Sequence, residues 1–311
     1  MTAKEVKGVG IWANPELFEK SAGLPVVKAI RGITTNLIKT RLENDPQIVF
    51  SIGIGPGIMY KDFIEKFTDH SLRLLGIDVL PDMLNKTIET IGQGRVVEEF
   101  SEASQSEAVV LSIHDVRENF GLPSSSVNVV EAGLILHHIL ERETLVEIMR
   151  RINAVLKPNG IFVLGDIDVA IGEYIDQKKH ILQQQFSSVA IDMDTGEFIG
   201  LNGQSKRIKI LDPKNGNDQL VLDRMDEITC KPLEQEMRLH NPTLQEPIFA
   251  NIANAHKGLE WHRAIDGSGG WLSIVSEGFL NCQIQTIRPS EIKKEFSSVL
   301  DNPFVIVVTK V

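Results

Sequence analysis

Apolar and polar positions along this chain follow two periods, one typical of buried strands and the other of amphipathic helices. The run from Gln47 to Ile52 is apolar and β-branched, with Asp45 and Pro46 before it and three glycines soon after it. This pattern predicts a buried parallel strand that enters a tight turn. The apolar residues of 58–67 recur near one face, which predicts a helix directly after the turn.

Similar strand and helix patterns recur along the rest of the chain. Further strands are predicted at 72–77, 108–113, 127–130, 161–164, 283–287 and 304–308. Helices are predicted from Pro81, over about 141–156 and near 271–279. Strands that alternate with helices are typical of a parallel sheet covered on both faces. We therefore predict an α/β fold, a doubly wound, mostly parallel, seven-stranded sheet of the Rossmann-like kind.

The segments outside these units predict a three-part organisation. Residues 1–46 contain two predicted helices, which we interpret as an N-terminal helical cover. After the fifth strand, helical periodicity over about 171–189 gives way to a turn-rich stretch with short alternating runs, including a predicted hairpin turn around Asp194. We therefore predict a core of 47–169 plus 266–311, with 170–265 inserted as a lid or substrate subdomain.

The turn after the first strand has the sequence Gly53-Ile-Gly55-Pro-Gly57. Glycines at a strand–helix turn let the backbone approach a ligand closely, and the free N–H groups of the following helix favour an anionic group. A phosphate-binding P-loop is excluded because no Lys-Ser or Lys-Thr pair follows. The dinucleotide fingerprint G-x-G-x-x-G fits poorly because Ile58 occupies its last position.

The G-x-G-x-G turn resembles the first motif of the class I S-adenosylmethionine-dependent methyltransferases, and four later segments fit the same family in order. A second strand ends in Asp78, and a third strand is followed by Asp115. A fourth strand is followed by Leu136-His137-His138-Ile139, and a fifth is preceded by Leu-Lys-Pro-Asn-Gly. The resemblance covers residues 47–168 and is to the small-molecule methyltransferases of the superfamily.

The resemblance implies S-adenosylmethionine as cofactor, with S-adenosylhomocysteine as its product. It implies that the loop glycines approach the methionine part, that Asp78 accepts the ribose hydroxyls and that Asp115 binds the adenine amine. Valines that follow two of the strands would flank the adenine ring. The candidate cofactor-binding residues are Gly53, Gly55, Gly57, Asp78, Val79, Asp115, Val116 and Glu131.

His137 and His138 follow the fourth strand at the carboxyl edge, where α/β sites open. One of them is our candidate for a general base or a group that orients the acceptor. A histidine packed for structural reasons is the alternative. Glu131 and Asp166 lie at the same edge and are candidates for orienting an amine or hydroxyl. The predicted lid adds Tyr174, His180, His240, His256, Trp261 and His262 as pocket candidates.

Composition narrows the class of protein. The net charge of -10 argues against a nucleic-acid backbone as partner. The two cysteines form no metal-binding pattern, no apolar run is long enough to span a membrane, and the N-terminus lacks the apolar region of a secretory signal. We expect a cytoplasmic protein that acts on a small-molecule acceptor and binds no metal. We expect no nucleic-acid or membrane partner, and a homodimer is a possible assembly.

The predicted function is therefore in-line transfer of a methyl group from S-adenosylmethionine to a small organic acceptor. The methylated atom is oxygen or nitrogen, with carbon as a further option. An NAD-linked oxidoreductase is the alternative enzyme, disfavoured by Ile58. A binding protein that keeps the fold without turnover is the third hypothesis.

Overall fold

The structure is a computed structural model that describes residues 15, 18–19, 22, 25–42, 47–69, 71–139, 141–167, 189–192, 197–200, 265–266, 270–289 and 303–311. Most of the predicted lid over 170–265 and its six pocket candidates therefore lie outside the described residues. Among the described residues, no helix is long and apolar enough to cross a membrane. No group of acidic, histidine or cysteine side chains among them has the arrangement of a metal site.

The main sheet contains eight described strands. They are β1 (Gln47–Ile52), β2 (Leu72–Asp78), β3 (Arg95–Val97), β4 (Val109–Ile113), β5 (Val127–Gly133), β6 (Leu156–Ile167), β9 (Cys282–Ile287) and β10 (Pro303–Lys310). A separate antiparallel hairpin pairs β7 (Val189–Asp192) with β8 (Glu197–Gly200). The pairing of Asp192 with Glu197 agrees with the hairpin predicted there, although 193–196 lie outside the described residues. Val189 belongs to a strand and not to the predicted helix.

The strands of the main sheet lie in the order β3-β4-β2-β1-β5-β6-β10-β9. The pairs from β3 to β6 are parallel, whereas β10 is antiparallel to both β6 and β9. The predicted doubly wound, mostly parallel sheet is confirmed. The predicted strand number was one too low, because β3 has only three residues and shows no resolvable period.

Helices cover both faces of the sheet. They are α1 (Pro25–Leu42), α2 (Ile64–Thr68), α3 (Pro81–Ile91), α4 (Arg142–Val155) and α5 (Trp271–Gly278). Buried residues of α4 and α5 form one apolar cluster with the sheet, and buried residues of α1, α2 and α3 form another on different strand positions. Because both faces are covered, the parallel strands are mostly apolar. In Val127–Gly133 the polar exceptions are Asn128 and Glu131.

The strand order places the switch in winding direction between β1 and β5. The chain proceeds outward from β1 to β2 and β4, and then returns to β5 on the other side of β1. Ligands of open α/β sheets bind at the carboxyl ends of the strands that flank such a point. The ends of β1, β2, β5 and β6 are therefore the place to look for a site.

Candidate functional site

The loop after β1 adopts the backbone conformation that its glycines predict. Gly53, Gly55 and Gly57 have φ values of 65°, 56° and 69°, a left-handed region that disfavours a Cβ atom. A Cβ at Gly53 would collide with Ile135, and one at Gly57 would lie 2.7 Å from Thr87 Cγ2. The loop therefore packs tightly against Ile135 at its first glycine and against Thr87 at its last.

Asp78 at the end of β2 binds the loop directly. Its Oδ2 accepts a hydrogen bond from Gly55 N at 3.0 Å, and its Oδ1 accepts one from Leu80 N at 3.0 Å. Burial raises the pKa of Asp78 to about 6, although the backbone donors Leu80, Gly55 and Val79 oppose that rise. The two residues that the motif spacing singled out, Gly55 and Asp78, are thus brought into contact.

Thr87 supports the loop from α3, a contact that the sequence analysis missed. Its hydroxyl lies 2.5 Å from Gly55 O and 3.0 Å from Met83 O, and its side chain is fully buried. A threonine inside a helix usually bonds its own preceding turn, so the residue type alone gives no sign of a second, distant partner. Thr87 therefore binds the carbonyl of Gly55, and Asp78 binds the N–H of the same residue.

The N-terminal segment also reaches the loop. An ideal Cβ at Gly55 would lie 3.3 Å from the ring of Phe18, and Glu19 forms an ion pair with Lys86 of α3 at 3.6 Å. The described residues of 1–46 thus contact the candidate site. The role of the whole segment as a cover stays a prediction.

Asp115 lies in the loop after β4, where the predicted adenine-binding residue belongs. Burial disfavours its charge, but the side-chain and backbone hydrogen bonds from Arg117 outweigh that effect and lower the pKa of Asp115. Arg117 Nε lies 2.9 Å and 3.0 Å from the two carboxylate oxygens. Arg151 of α4 holds the same loop by donating to the carbonyl of Glu118. Neither arginine was singled out in the sequence.

Val79 and Val116, the two valines expected to flank the adenine, are both half-buried. Val79 directly follows Asp78 at the end of β2, and Val116 packs against one of the two apolar clusters. Ile113 pairs with Asp78 across neighbouring strands, and 47% of its surface is exposed. The edge next to Asp78 therefore presents apolar surface as well as a carboxylate.

Glu131 in β5 is buried under the loop. Its Oε2 accepts a hydrogen bond from Ser51 Oγ at 2.8 Å, and Tyr60 OH lies 3.5 Å from the same oxygen. Burial raises the pKa of Glu131 to about 7, against the effect of the donors Ser51, Tyr60 and Gly133. Burial and the negative charge of Glu131 also raise the pKa of Tyr60. Ser51 and Tyr60 carried no signal in the sequence, because their partner is distant along the chain.

His137 and Asp166 form a buried pair at the ends of β5 and β6. His137 Nδ1 lies 3.1 Å from Asp166 Oδ1, and that oxygen also accepts a hydrogen bond from Ile167 N at 2.8 Å. A left-handed backbone at Leu134, with a φ of 54°, turns the chain out of β5 before the histidines. The ring of His138 lies 4.4 Å from that of His137 between centroids. A histidine fixed by a carboxylate is a common arrangement for a general base.

These placements bring most of the predicted site residues to one edge. The glycine loop, Asp78, Glu131, His137 and Asp166 lie at the carboxyl ends of the four neighbouring strands β2, β1, β5 and β6. Asp115 and Val116 follow β4, the next strand outward. A glycine turn and an acid on the adjacent strand suit a nucleoside with an extended polar tail.

Comparison with known proteins agrees with this architecture. Residues 50–164 match the family model described as a methyltransferase domain. The crystal structure of the CurJ carbon methyltransferase is similar in fold, with a TM-score of 0.54 and 12% identity over 99% of this chain and 62% of that chain. This chain therefore spans less than two thirds of the CurJ chain.

A second solved structure, an S-adenosylmethionine-dependent methyltransferase from Mesorhizobium loti, aligns with a TM-score of 0.46 and 12% identity, over 93% of this chain and 99% of that chain. No curated protein matches this chain in sequence. Likeness at such identities concerns the fold. The chemistry has to be argued from the site itself.

Proposed function

We propose that this chain, whose residues 50–164 form a methyltransferase domain of the class I S-adenosylmethionine-dependent superfamily, transfers a methyl group from S-adenosylmethionine to a small organic acceptor. The observation that carries the proposal is the hydrogen bond from Gly55 N to Asp78. It joins the glycine turn and the acidic strand end into one site at the switch point of the sheet.

The residues present fit the donor at its ribose and adenine. Asp78 is oriented by the backbone donors Gly55, Val79 and Leu80. A carboxylate offers about four acceptor positions and these donors use three of them, so one position remains for a ribose hydroxyl. The exposed side of Ile113 offers an apolar surface to the base, and Asp115, held ionised by Arg117, offers an acceptor to its amine.

The glycine loop suits the other end of the donor. Backbone without side chains lets the methionine part approach closely, and the helical turn that begins at Ile58 provides backbone N–H groups for its carboxylate. When bound, S-adenosylmethionine supplies an electrophilic methyl group on a sulfonium, and its transfer leaves a neutral thioether. The chain has mainly to align the two partners for an in-line displacement.

His137 provides the proton acceptor in this proposal. A carboxylate can only accept a hydrogen bond, so Nδ1 of His137 carries the hydrogen shared with Asp166, and Nε2 is the nitrogen assigned to accept the proton. Nε2 takes the proton of the acceptor's O–H or N–H as that atom bonds to the methyl carbon and the sulfur–carbon bond breaks. The imidazolium that results is stabilised by Asp166.

The choice of a small organic acceptor rests on charge and on the placement of the base. The chain has a net charge of -10, which disfavours a polyanionic substrate. The His137–Asp166 pair suits an acceptor whose proton must be removed, which favours oxygen or nitrogen as the methylated atom.

Calorimetric titration tests the proposal. We expect the purified protein to bind S-adenosylhomocysteine and not NADH, and Asp78→Ala to weaken that binding about a hundredfold, because the substitution removes the acceptor of both loop and ribose donors. Asp62→Ala is the matched control, since Asp62 is exposed on the helix after the loop. Binding of NADH alone would favour the oxidoreductase. Binding of S-adenosylhomocysteine without methyl release to any acceptor in a panel would favour the non-catalytic binding protein.

A further inference from the structure

Glu131 is the one buried carboxyl of this edge that the proposed chemistry leaves without a task. Its exposed fraction is 7%, and its two hydroxyl partners, Ser51 and Tyr60, are each 1% exposed. Among the described residues, no lysine, arginine or histidine forms an ion pair with it. A carboxylate removed from water without a cation is costly, so its retention in this place calls for a physical reason.

The contacts of Glu131 join the two ends of the glycine loop. Ser51 lies in β1 before Gly53, whereas Tyr60 lies in the first helical turn after Gly57. Both hydroxyls point at the same oxygen, Oε2, at 2.8 Å and 3.5 Å. One carboxylate therefore fastens the entry and the exit of the loop.

The other oxygen of Glu131 lies against the backbone after β5. A Cβ at Gly133 would lie 2.8 Å from Oε1, so only a glycine leaves room for the carboxylate in this orientation. The backbone N–H of Gly133 is also one of its donors. Contacts with Ser51, Tyr60 and Gly133 thus hold the carboxylate in a polar environment beside the loop.

We propose that Glu131 is a positioning residue of the donor site, which fastens the loop Gly53–Gly57 through Ser51 and Tyr60 and places a negative charge beside the α-ammonium of the donor's methionine end. This inference rests on the proposed function. It assigns the ammonium a counter-charge, and it gives the buried carboxylate a cation, which none of the described residues supplies. Binding of the ligand then favours the ionised form of Glu131.

Several other titratable and charged groups among the described residues lie around Glu131. Tyr60 faces it and stays protonated, because its pKa is raised. On the neighbouring β6 and the turn after β5 lie Asp166 and His137, which pair with each other. The basic residues of α1, which packs on this side of the sheet, lie at its exposed or half-buried positions, and they are Lys28, Arg31, Lys39 and Arg41. On the helical turn that carries Tyr60, Lys61 and Asp62 are exposed.

Proton release on ligand binding tests the inference. Titrations with S-adenosylhomocysteine at pH 7, in two buffers of different ionisation enthalpy, measure the protons released. With the pKa of free Glu131 at about 7, the wild-type protein should release about half a proton as this group ionises. Glu131→Gln should release about half a proton less than the wild-type protein and should bind about tenfold more weakly.

Ser51→Ala is the second variant, because it keeps the carboxylate and removes one donor. The Ser51 hydrogen bond lowers the pKa of Glu131, so its loss should raise that pKa and increase the proton release at pH 7. Equal release by wild type and Glu131→Gln, or unchanged release by Ser51→Ala, would overturn the inference alone. Failure of the wild-type protein to bind S-adenosylhomocysteine would instead overturn the proposed function, and this inference with it.

Discussion

Asp78 and Glu131 hold their protons to a higher pH than exposed carboxyl groups do, with pKa values of about 6 and about 7. Burial is the larger cause for each, and backbone or hydroxyl donors oppose it only in part. At the residue scale, the site therefore contains ionisable groups whose charge is costly in the free protein. Costly charges of this kind are frequent in binding and catalytic sites.

The first residue-scale prediction concerns stability and pH. A carboxyl whose folded pKa is raised binds its proton more tightly in the folded state, so its contribution to stability is present below about pH 4 and is lost as pH rises through the folded pKa. We expect the free energy of unfolding of the ligand-free protein to fall between about pH 5 and pH 8, with a share of roughly 3 kcal/mol from Glu131.

Urea unfolding of wild type and Glu131→Gln over this pH range measures that share. The variant should lose less stability than the wild-type protein on going to high pH, because it has no charge to bury at position 131. Parallel curves for the two proteins would show that Glu131 does not titrate in this range.

The second residue-scale prediction concerns the His137–Asp166 pair. Once an acceptor is found, His137→Asn should lower kcat by a factor of about 100 or more, since a general base contributes on that scale. Asp166→Asn should lower kcat less and shift its pH profile, because the amide does not stabilise the imidazolium. Both variants should bind S-adenosylhomocysteine as the wild-type protein does. An unchanged kcat for His137→Asn would assign the pair a structural role only.

The glycine loop is the element around which the contacts of Asp78, Thr87 and Glu131 meet. It is fastened by Asp78 at Gly55 N, by Thr87 at Gly55 O and by Glu131 through Ser51 and Tyr60. These supports come from β2, α3 and β5, so the loop depends on the whole centre of the sheet. A rigid loop of this kind loses little conformational freedom when it binds.

At the element scale, Gly57→Ala tests that close seating. The left-handed backbone costs about 1–2 kcal/mol for alanine, and a Cβ would in addition lie 2.7 Å from Thr87 Cγ2. Gly92→Ala is the matched control, because Gly92 also has a positive φ of 80° but has nothing within 4 Å of its ideal Cβ. Gly57→Ala should weaken S-adenosylhomocysteine binding more than tenfold, and Gly92→Ala by less than twofold. Equal losses in both variants would contradict a specific role for the loop.

Long elements with a clear hydrophobic pattern, and the motifs next to them, could be predicted from the sequence. The strands ending near Asp78 and Asp166 were recognised because buried parallel strands are largely apolar. The three-residue strand β3 and the threonine that supports the loop were missed. Both depend on partners that are distant in the chain, which a local pattern does not encode.

At the scale of the whole molecule, the chain returns to complete its own sheet. β10 pairs with β6 from Pro303 opposite Ile167 to Thr309 opposite Ile161. Trp271 of α5 is completely buried in the same apolar cluster as α4. The C-terminal segments are therefore part of the fold that carries the site, although the site residues argued from the structure all lie within 51–166.

A chain that ends at Ile167 tests this dependence. We expect it to lack a cooperative thermal transition, because the edge of β6 and the apolar surface that α5 covers would be exposed. Circular dichroism during heating measures the transition. A sharp transition and full binding of S-adenosylhomocysteine would show that residues 1–167 form an independent domain.

The most direct test of the central claim is a crystal structure of the full chain with S-adenosylhomocysteine. The account predicts that a ribose hydroxyl lies within hydrogen-bond distance of Asp78, with the amino-acid end along Gly53–Gly57 and its ammonium toward Glu131. A ligand bound away from the carboxyl ends of β1 and β2 would contradict the account, whatever its affinity.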